Sequence, residues 1–158
     1  MSDPASAPEQ VLALDNQTCF ALYAANRAMT ALYRPVLATL GLTYPQYLVM
    51  LVLWEAESRE GAVRVSFVGQ RLRLDTGTLT PLLKRLEGQG LIQRQRDADD
   101  ERVVQVALTG KGRLLKAQAR EVPGQLLCGS GLDPQRLASL RDELRSLLVL
   151  LDEAPSGG

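Results

Sequence analysis

The sequence predicts a mainly α-helical protein with a small β wing, built as a winged helix-turn-helix. Three observations predict it: two helical patterns in tandem from Val65 to Glu87, a glycine stop at Gly88-Gln-Gly90, and a charged hairpin pattern from Leu91 to Leu108. This reader lobe spans residues 64–108 of what is expected to be a single domain over 1–158, with helical segments 11–57 and 109–153 on either side.

The first helix of the lobe, Val65-Ser-Phe-Val-Gly-Gln-Arg-Leu72, has its apolar residues at helical spacing. The second follows Asp75, a residue suited to accept from free backbone N–H groups at a helix start. Leu79, Leu82, Leu83 and Leu86 form its packing stripe. Thr76, Thr78, Thr80 and Lys84, with Arg85 beside them, supply a polar face suited to a major groove. Pro81 lacks an N–H, so it fits a first turn best. That places the start either at Asp75 or near Thr80.

The wing is read from Leu91-Ile-Gln-Arg-Gln-Arg96 and Val103-Val-Gln-Val-Ala-Leu108, two strands around Asp97-Ala-Asp-Asp-Glu-Arg102. Arg94, Arg96 and Arg102 are candidates for phosphate or minor-groove contact. The four acids between them would repel DNA unless they point away, cap the turn or hold Arg102. A helical domain with an ordinary solvated charged turn is the bland alternative.

Charge agrees with the DNA reading locally. Eighteen Lys and Arg balance eighteen Asp and Glu over the chain. Residues 64–116 nevertheless hold 11 basic and 6 acidic residues, leaving 7 and 12 elsewhere, so positive charge gathers on the reader. No apolar run is long enough for a membrane span, and Met1 to Glu9 lacks the order of a secretory signal, so a cytoplasmic protein is expected.

Outside the reader, Val11 to Leu40 reads as one long helix or two joined ones, which Pro35 would kink or divide. Gly41-Leu-Thr-Tyr-Pro45 breaks the chain before a helix over 46–57. Thr109 caps a helix running to Arg120, and Asp133-Pro134 opens a terminal helix carrying Leu137, Leu140, Leu144, Leu147, Leu148 and Leu151. Such a leucine stripe predicts a two-fold dimer built from both ends of the chain, although packing within one chain is the alternative. Met1 to Pro8 and Pro155 to Gly158 read as weakly ordered ends.

Cys19 and Cys128 are the two cysteines, too few for a disulfide scaffold and consistent with a reducing compartment. Cys19 stands at a helix start, where free backbone N–H groups can attend an anion, and Tyr23, Tyr33 and Tyr44 offer phenolic donors. On one straight helix, the 14 residues from Cys19 to Tyr33 span about 21 Å, so contact needs a bend or a second subunit. From residue types alone, two inert buried thiols and a regulatory thiol both stand. The chain has no histidine, glycine-rich phosphate motif or complete hydrolytic constellation, and two cysteines do not specify a metal site. A regulator without metal, cofactor or enzymatic activity is expected.

Phe20-Ala-Leu-Tyr23, Tyr33-Arg-Pro35, Leu42-Thr-Tyr-Pro-Gln-Tyr47, Leu74-Asp-Thr-Gly-Thr-Leu-Thr-Pro-Leu-Leu-Lys-Arg-Leu86 and Asp100-Glu-Arg102 resemble the organic-hydroperoxide-resistance repressors, a thiol-sensing branch of the MarR winged-helix family. The resemblance covers roughly Leu14 to Gly112. It implies that Cys19 is the peroxidatic sensor, that Tyr33 and Tyr44 hydrogen-bond its sulfur across a dimer, that Tyr23 belongs to the same region, and that Cys128 is the second cysteine of the two-cysteine branch. The implied partners are double-stranded operator DNA, organic hydroperoxides and a second copy of the chain. Release of DNA would follow Cys19 oxidation and an inter-subunit disulfide with Cys128. The alternative is a related repressor released by a noncovalent, small hydrophobic ligand in an inter-helical cavity.

Overall fold

The computed structural model describes residues 8–155, so apart from Pro8 and Pro155 the two expected weakly ordered ends lie outside the described residues. The described chain forms two compact units, one ending at Arg120 and one starting at Glu121. Among the described residues, no helix is long and apolar enough to cross a membrane.

The first unit opens with α1 (Pro8–Val11) and a 3-10 turn (Leu14–Asn16), followed by α2 (Thr18–Ala38) and α3 (Tyr44–Glu57). The long helix expected from Val11 therefore starts later. Asn16 Nδ2 donates to the Gln10 carbonyl at 2.8 Å, and Gln17 Nε2 donates to those of Val11 and Ala13 at 2.8 and 3.1 Å. Side chains thus occupy carbonyls that a continuing helix would need. At its other end α2 runs through Pro35 undivided, because this proline lies within the last turn and removes a single backbone donor. Gly41 at φ 70° then lets Leu42 N–H return to the Leu37 carbonyl at 3.1 Å, closing the helix.

Thr43 starts α3 two residues earlier than expected. Its hydroxyl accepts from Gln46 N–H at 3.4 Å while Gln46 Oε1 accepts from Thr43 N–H at 3.0 Å, and Pro45 fits the first turn. Tyr47, Val49, Met50, Val52, Leu53, Trp54 and Ala56 are all buried, so α3 is the central helix of the core. The reader packs on it: β1 (Val63–Arg64), α4 (Val65–Leu72), α5 (Thr76–Gly88), β2 (Ile92–Arg96), β3 (Val104–Leu108) and α6 (Gly110–Ala119). The two-stranded wing gains a third strand, with order β1-β3-β2. Val63 pairs Val106, and Arg64 pairs Gln105. A two-residue strand has too few positions to show alternation, so this stretch reads in the sequence as a polar connection.

One close approach locks α6 to the wing. A Cβ on Gly112 would lie 2.2 Å from the Leu91 carbonyl oxygen, so only glycine fits. Gly112 O accepts from Trp54 Nε1 at 2.9 Å, Lys116 Nζ donates to Trp54 O at 3.1 Å, and Thr109 Oγ1 donates to Gly90 O at 2.6 Å.

The second unit holds α7 (Val122–Leu127), Cys128, the left-handed glycines Gly129 and Gly131, and α8 (Pro134–Glu153). Asp133 caps α8 by accepting from Gln135 N–H at 3.0 Å. No residue of α8 is buried, and Leu140, Leu148, Val149, Leu150 and Leu151 are exposed.

Gly112→Ala is expected to lower stability by about 1–3 kcal/mol, as overpacking against fixed backbone does. Gly110→Ala, whose added Cβ meets nothing within 4 Å, should be neutral or stabilising. Urea unfolding of both variants checks the pair.

Candidate functional site

α5 carries the candidate reading face. Asp75 Oδ1 accepts from Thr78 N–H at 2.6 Å, which starts the helix at Thr76 rather than near Thr80 and places Pro81 beyond the first turn. The carbonyl deprived by Pro81 is that of exposed Gly77, where water can replace the missing donor. Leu79, Leu83 and Leu86 are buried and Leu82 is half-buried, so the leucine stripe fixes which side faces out. Thr76, Thr78, Lys84 and Arg85 are exposed on that side. Thr80 is half-buried, with its hydroxyl spent on the Thr76 carbonyl at 2.7 Å. Arg73, just before α5, holds φ 56° in the turn between α4 and α5.

At the wing tip, two of the four acids are engaged as acceptors. Asp97 Oδ1 accepts from Asp99 N–H at 2.8 Å and Asp100 N–H at 3.4 Å, while its Oδ2 accepts from Gln105 Nε2 at 3.0 Å. Asp100 holds Arg102 through the backbone N–H at 3.1 Å and Nε at 3.2 Å, and the Arg102 side chain remains 91% exposed. Arg96 is exposed and donates from Nη1 to Glu101 O at 3.0 Å. Arg94 differs from these two: it is half-buried and paired with Glu87.

The thiol region occupies α2 and α3. Cys19 is exposed at the second position of α2, and Tyr23, one turn on, lies under the Arg27 guanidinium, 5.5 Å from the ring centre. Tyr33 and Tyr44 meet at 4.9 Å between ring centres, and Tyr47 adds contacts at 5.9 and 6.5 Å. Burial raises all three phenols above the ordinary 10.0, with neighbouring tyrosines adding to the effect at Tyr33 and Tyr47, so they are neutral donors near neutral pH. Since α2 is one helix, Cys19 and Tyr33 of the same chain stay about 21 Å apart. Cys128 is exposed at the end of α7, in the other unit. Among the described residues, no group of three or more His, Cys, Asp or Glu could hold a metal ion.

Sequence reading singled out neither Tyr47 nor Glu87. Tyr47 lies one helical turn past Tyr44 in a motif already noted, so that spacing was available as a signal. Glu87 meets Arg94 across a turn, with no local pattern to mark it.

Three reader carboxylates are held below their ordinary values: Asp75 first by the Thr78 N–H, Glu87 first by the Arg94 N–H, and Asp100 first by the Arg102 side chain. Each takes up a proton more readily in the unfolded chain, so folding stability falls as pH drops from the ordinary values, 4.5 for Glu87 and 3.8 for the two Asp, through the lower folded ones. Urea midpoints should therefore be level near neutrality and decline below pH 4.5, less steeply in Glu87→Gln.

Comparison with known proteins places this geometry in a family. A family described as transcriptional regulator SarA/Rot matches residues 31–119. The organic hydroperoxide resistance transcriptional regulator of Bacillus subtilis (strain 168) is 48% identical over 140 residues, covering 89% of this chain and 92% of that protein. The HTH-type transcriptional regulator TtmR of Methylorubrum extorquens (strain PA1) is 51% identical over 140 residues, covering 84% and 70%. Among solved structures, reduced AbfR bound to DNA superposes with a TM-score of 0.70 at 34% identity, over 92% of this chain and 99% of that one. AbfR, a protein of Staphylococcus epidermidis, is also known in a disulfide-formed structure, which superposes at 0.56 over 89% and 96%. The chain belongs to the SarA/Rot family of transcriptional regulators and is a homologue of the organic hydroperoxide resistance transcriptional regulator.

Proposed function

We propose that this regulator is an organic-hydroperoxide-sensing repressor whose reduced homodimer holds operator DNA and releases it when Cys19 is oxidised. The observation that carries the reading is Cys19 itself, exposed in the first turn of α2 beside Tyr23, in a chain 48% identical to an organic hydroperoxide resistance regulator. Residues 64–108 read DNA. Residues 11–57 and 109–153 make the dimer, a role supported by the exposed apolar residues of α2 and α8. α5 enters the major groove with Thr76, Thr78, Thr80, Lys84 and Arg85, and the wing brings Arg96 and Arg102 to the backbone or minor groove.

Chemistry begins when the Cys19 sulfur attacks the outer peroxide oxygen. The O–O bond breaks, the alcohol leaves, and Cys19 becomes a sulfenic acid. Tyr33 and Tyr44 of the other subunit donate to the sulfur, which accords with their clustering where α2 meets α3, at the far end of α2 from the Cys19 of their own chain. The thiol of Cys128 on the other subunit then displaces water from the sulfenic acid to form an inter-subunit disulfide. The dimer helices shift, the two readers lose their matched spacing, and DNA is released. Gly129 and Gly131 beside Cys128 supply backbone freedom for this step. AbfR is known reduced on DNA, overoxidised on DNA and with its disulfide formed, which supports the disulfide as the releasing step.

A second reading rests on one observation. A cavity of about 510 Å³ lined by Thr30, Arg34, Ala38, Leu42 and Tyr44 can accommodate a small hydrophobic ligand. Release of DNA by a nonreactive ligand, with retention after hydroperoxide, selects it.

Two outcomes test the main reading. Cys19→Ser should bind duplex DNA as the reduced wild type does and fail to release it after stoichiometric organic hydroperoxide; release at the wild-type rate overturns the assignment. Cys128→Ser should bind DNA normally yet form no reducible covalent dimer, leaving a Cys19 sulfenic acid that intact-mass analysis detects. Absence of a Cys19–Cys128 inter-chain peptide from oxidised, released wild type returns Cys128 to a structural role. In a salt titration, Lys84→Ala should weaken duplex binding and lower the slope of log K against log salt by about one.

A further inference from the structure

We propose that Glu87 and Arg94 form a positioning pair that sets the wing against the recognition helix, and that Arg94 does not contact DNA. Sequence reading groups Arg94 with Arg96 and Arg102 as candidates for the DNA backbone, and three features of the structure separate it from them.

The first is its side of the sheet. Arg94 stands opposite Val106, which is fully buried, and shares its face of β2 with buried Ile92 two residues earlier. Arg96 lies on the same face but farther out, beyond the core, where its guanidinium meets a wing-tip carbonyl. Strand alternation therefore directs Arg94 toward the body of the lobe.

The second is engagement of both the side chain and the backbone of Arg94 by one carboxylate. Glu87 Oε1 accepts from Arg94 Nε at 3.3 Å and Nη2 at 3.1 Å, while Oε2 accepts from the Arg94 backbone N–H at 2.8 Å. That N–H lies on the free edge of β2, since β3 pairs with the opposite side through the neighbouring residues. Glu87 thus ties both the backbone and the side chain of the wing strand to the last turn of α5. Side-chain exposures of 26% for Arg94 and 38% for Glu87 shield the pair from solvent more than the fully presented Arg102.

The third is location. The pair bridges the short connection between the reading helix and the wing, the joint whose angle decides whether α5 and the wing-tip arginines meet adjacent grooves together. A brace there raises affinity by holding the free protein in its binding geometry.

The two roles give opposite signs for Glu87. An acid close to DNA without a positioning role repels phosphate, so its removal strengthens binding. Removal of a brace weakens binding and leaves the number of phosphate contacts unchanged.

The test uses the full-length reduced protein and a duplex selected by wild type from a random-sequence library, with Glu87→Gln, Arg94→Gln and the double variant titrated across salt. Urea unfolding establishes that each is folded. Each single variant is expected to lose about tenfold in affinity, the double variant to lose no more than either single, and all three to keep the wild-type salt slope. Arg94→Lys, which keeps the charge but not the forked donor geometry, should lose affinity as well. Unchanged or tighter binding by Glu87→Gln, losses that add in the double variant, or a slope lowered by about one in Arg94→Gln would each overturn the proposal. If Arg94→Gln unfolds, the sign of the Glu87→Gln effect decides alone.

Discussion

The meeting of α6 with the wing at Gly112 is the constraint on which the reader lobe depends. α3 carries most of the core, and its Trp54 indole donates to the Gly112 carbonyl while Gly112 lies against the Leu91 backbone. No side chain fits between them. The start of β2, the end of β3 and the first turn of α6 are therefore fixed to the central helix at one point. Thr109 strengthens the joint from both sides, donating to Gly90 O and accepting from Gly112 N–H at 3.1 Å. The residue that caps α6 thus also secures the turn leading into the wing.

With that joint fixed, the electrostatics of the lobe become local and directional. In a chain of zero net charge, four of the six acids of the candidate DNA-reading lobe are engaged as acceptors: Asp75 by a helix start, Asp97 and Asp100 by the wing turn, Glu87 by Arg94. Each carboxylate accepts N–H groups that would otherwise go unpaired, and in doing so orders the segment that presents a cation. Lys84, Arg85, Arg96 and Arg102 remain outward, and each of them that neutralises a phosphate would add to the salt dependence of binding.

The thiol region has the opposite character. Of the 21 residues of α2 only Leu37 is buried, and α8 buries none, so both long helices present apolar surface that a single chain leaves open. Tyr33, Tyr44 and Tyr47 cluster where α2 meets α3, one end of a helix away from Cys19. Within one chain, Tyr33 stays about 21 Å along α2 from Cys19.

The sequence by itself determined the reader. The apolar spacing of Leu79, Leu83 and Leu86, the cap at Asp75, the glycine stop at Gly90 and the alternation of β2 and β3 are local signals, and local physics is sufficient to read them. It also offered Cys19 as a candidate sensor, through its place at a helix start and the family resemblance of the motifs around it. Tertiary structure decided what depends on residues distant in sequence. The pairing of β1 with β3 needs a partner more than forty residues away, and the requirement for glycine at position 112 exists only because Leu91 is there. Arg94 and Arg96 are alike in sequence and two residues apart; Glu87 and the buried face shared with Ile92 and Val106 turn one inward, while the other passes the edge of the core. Side-chain chemistry is set by residue type, but the partner it meets is set by the fold.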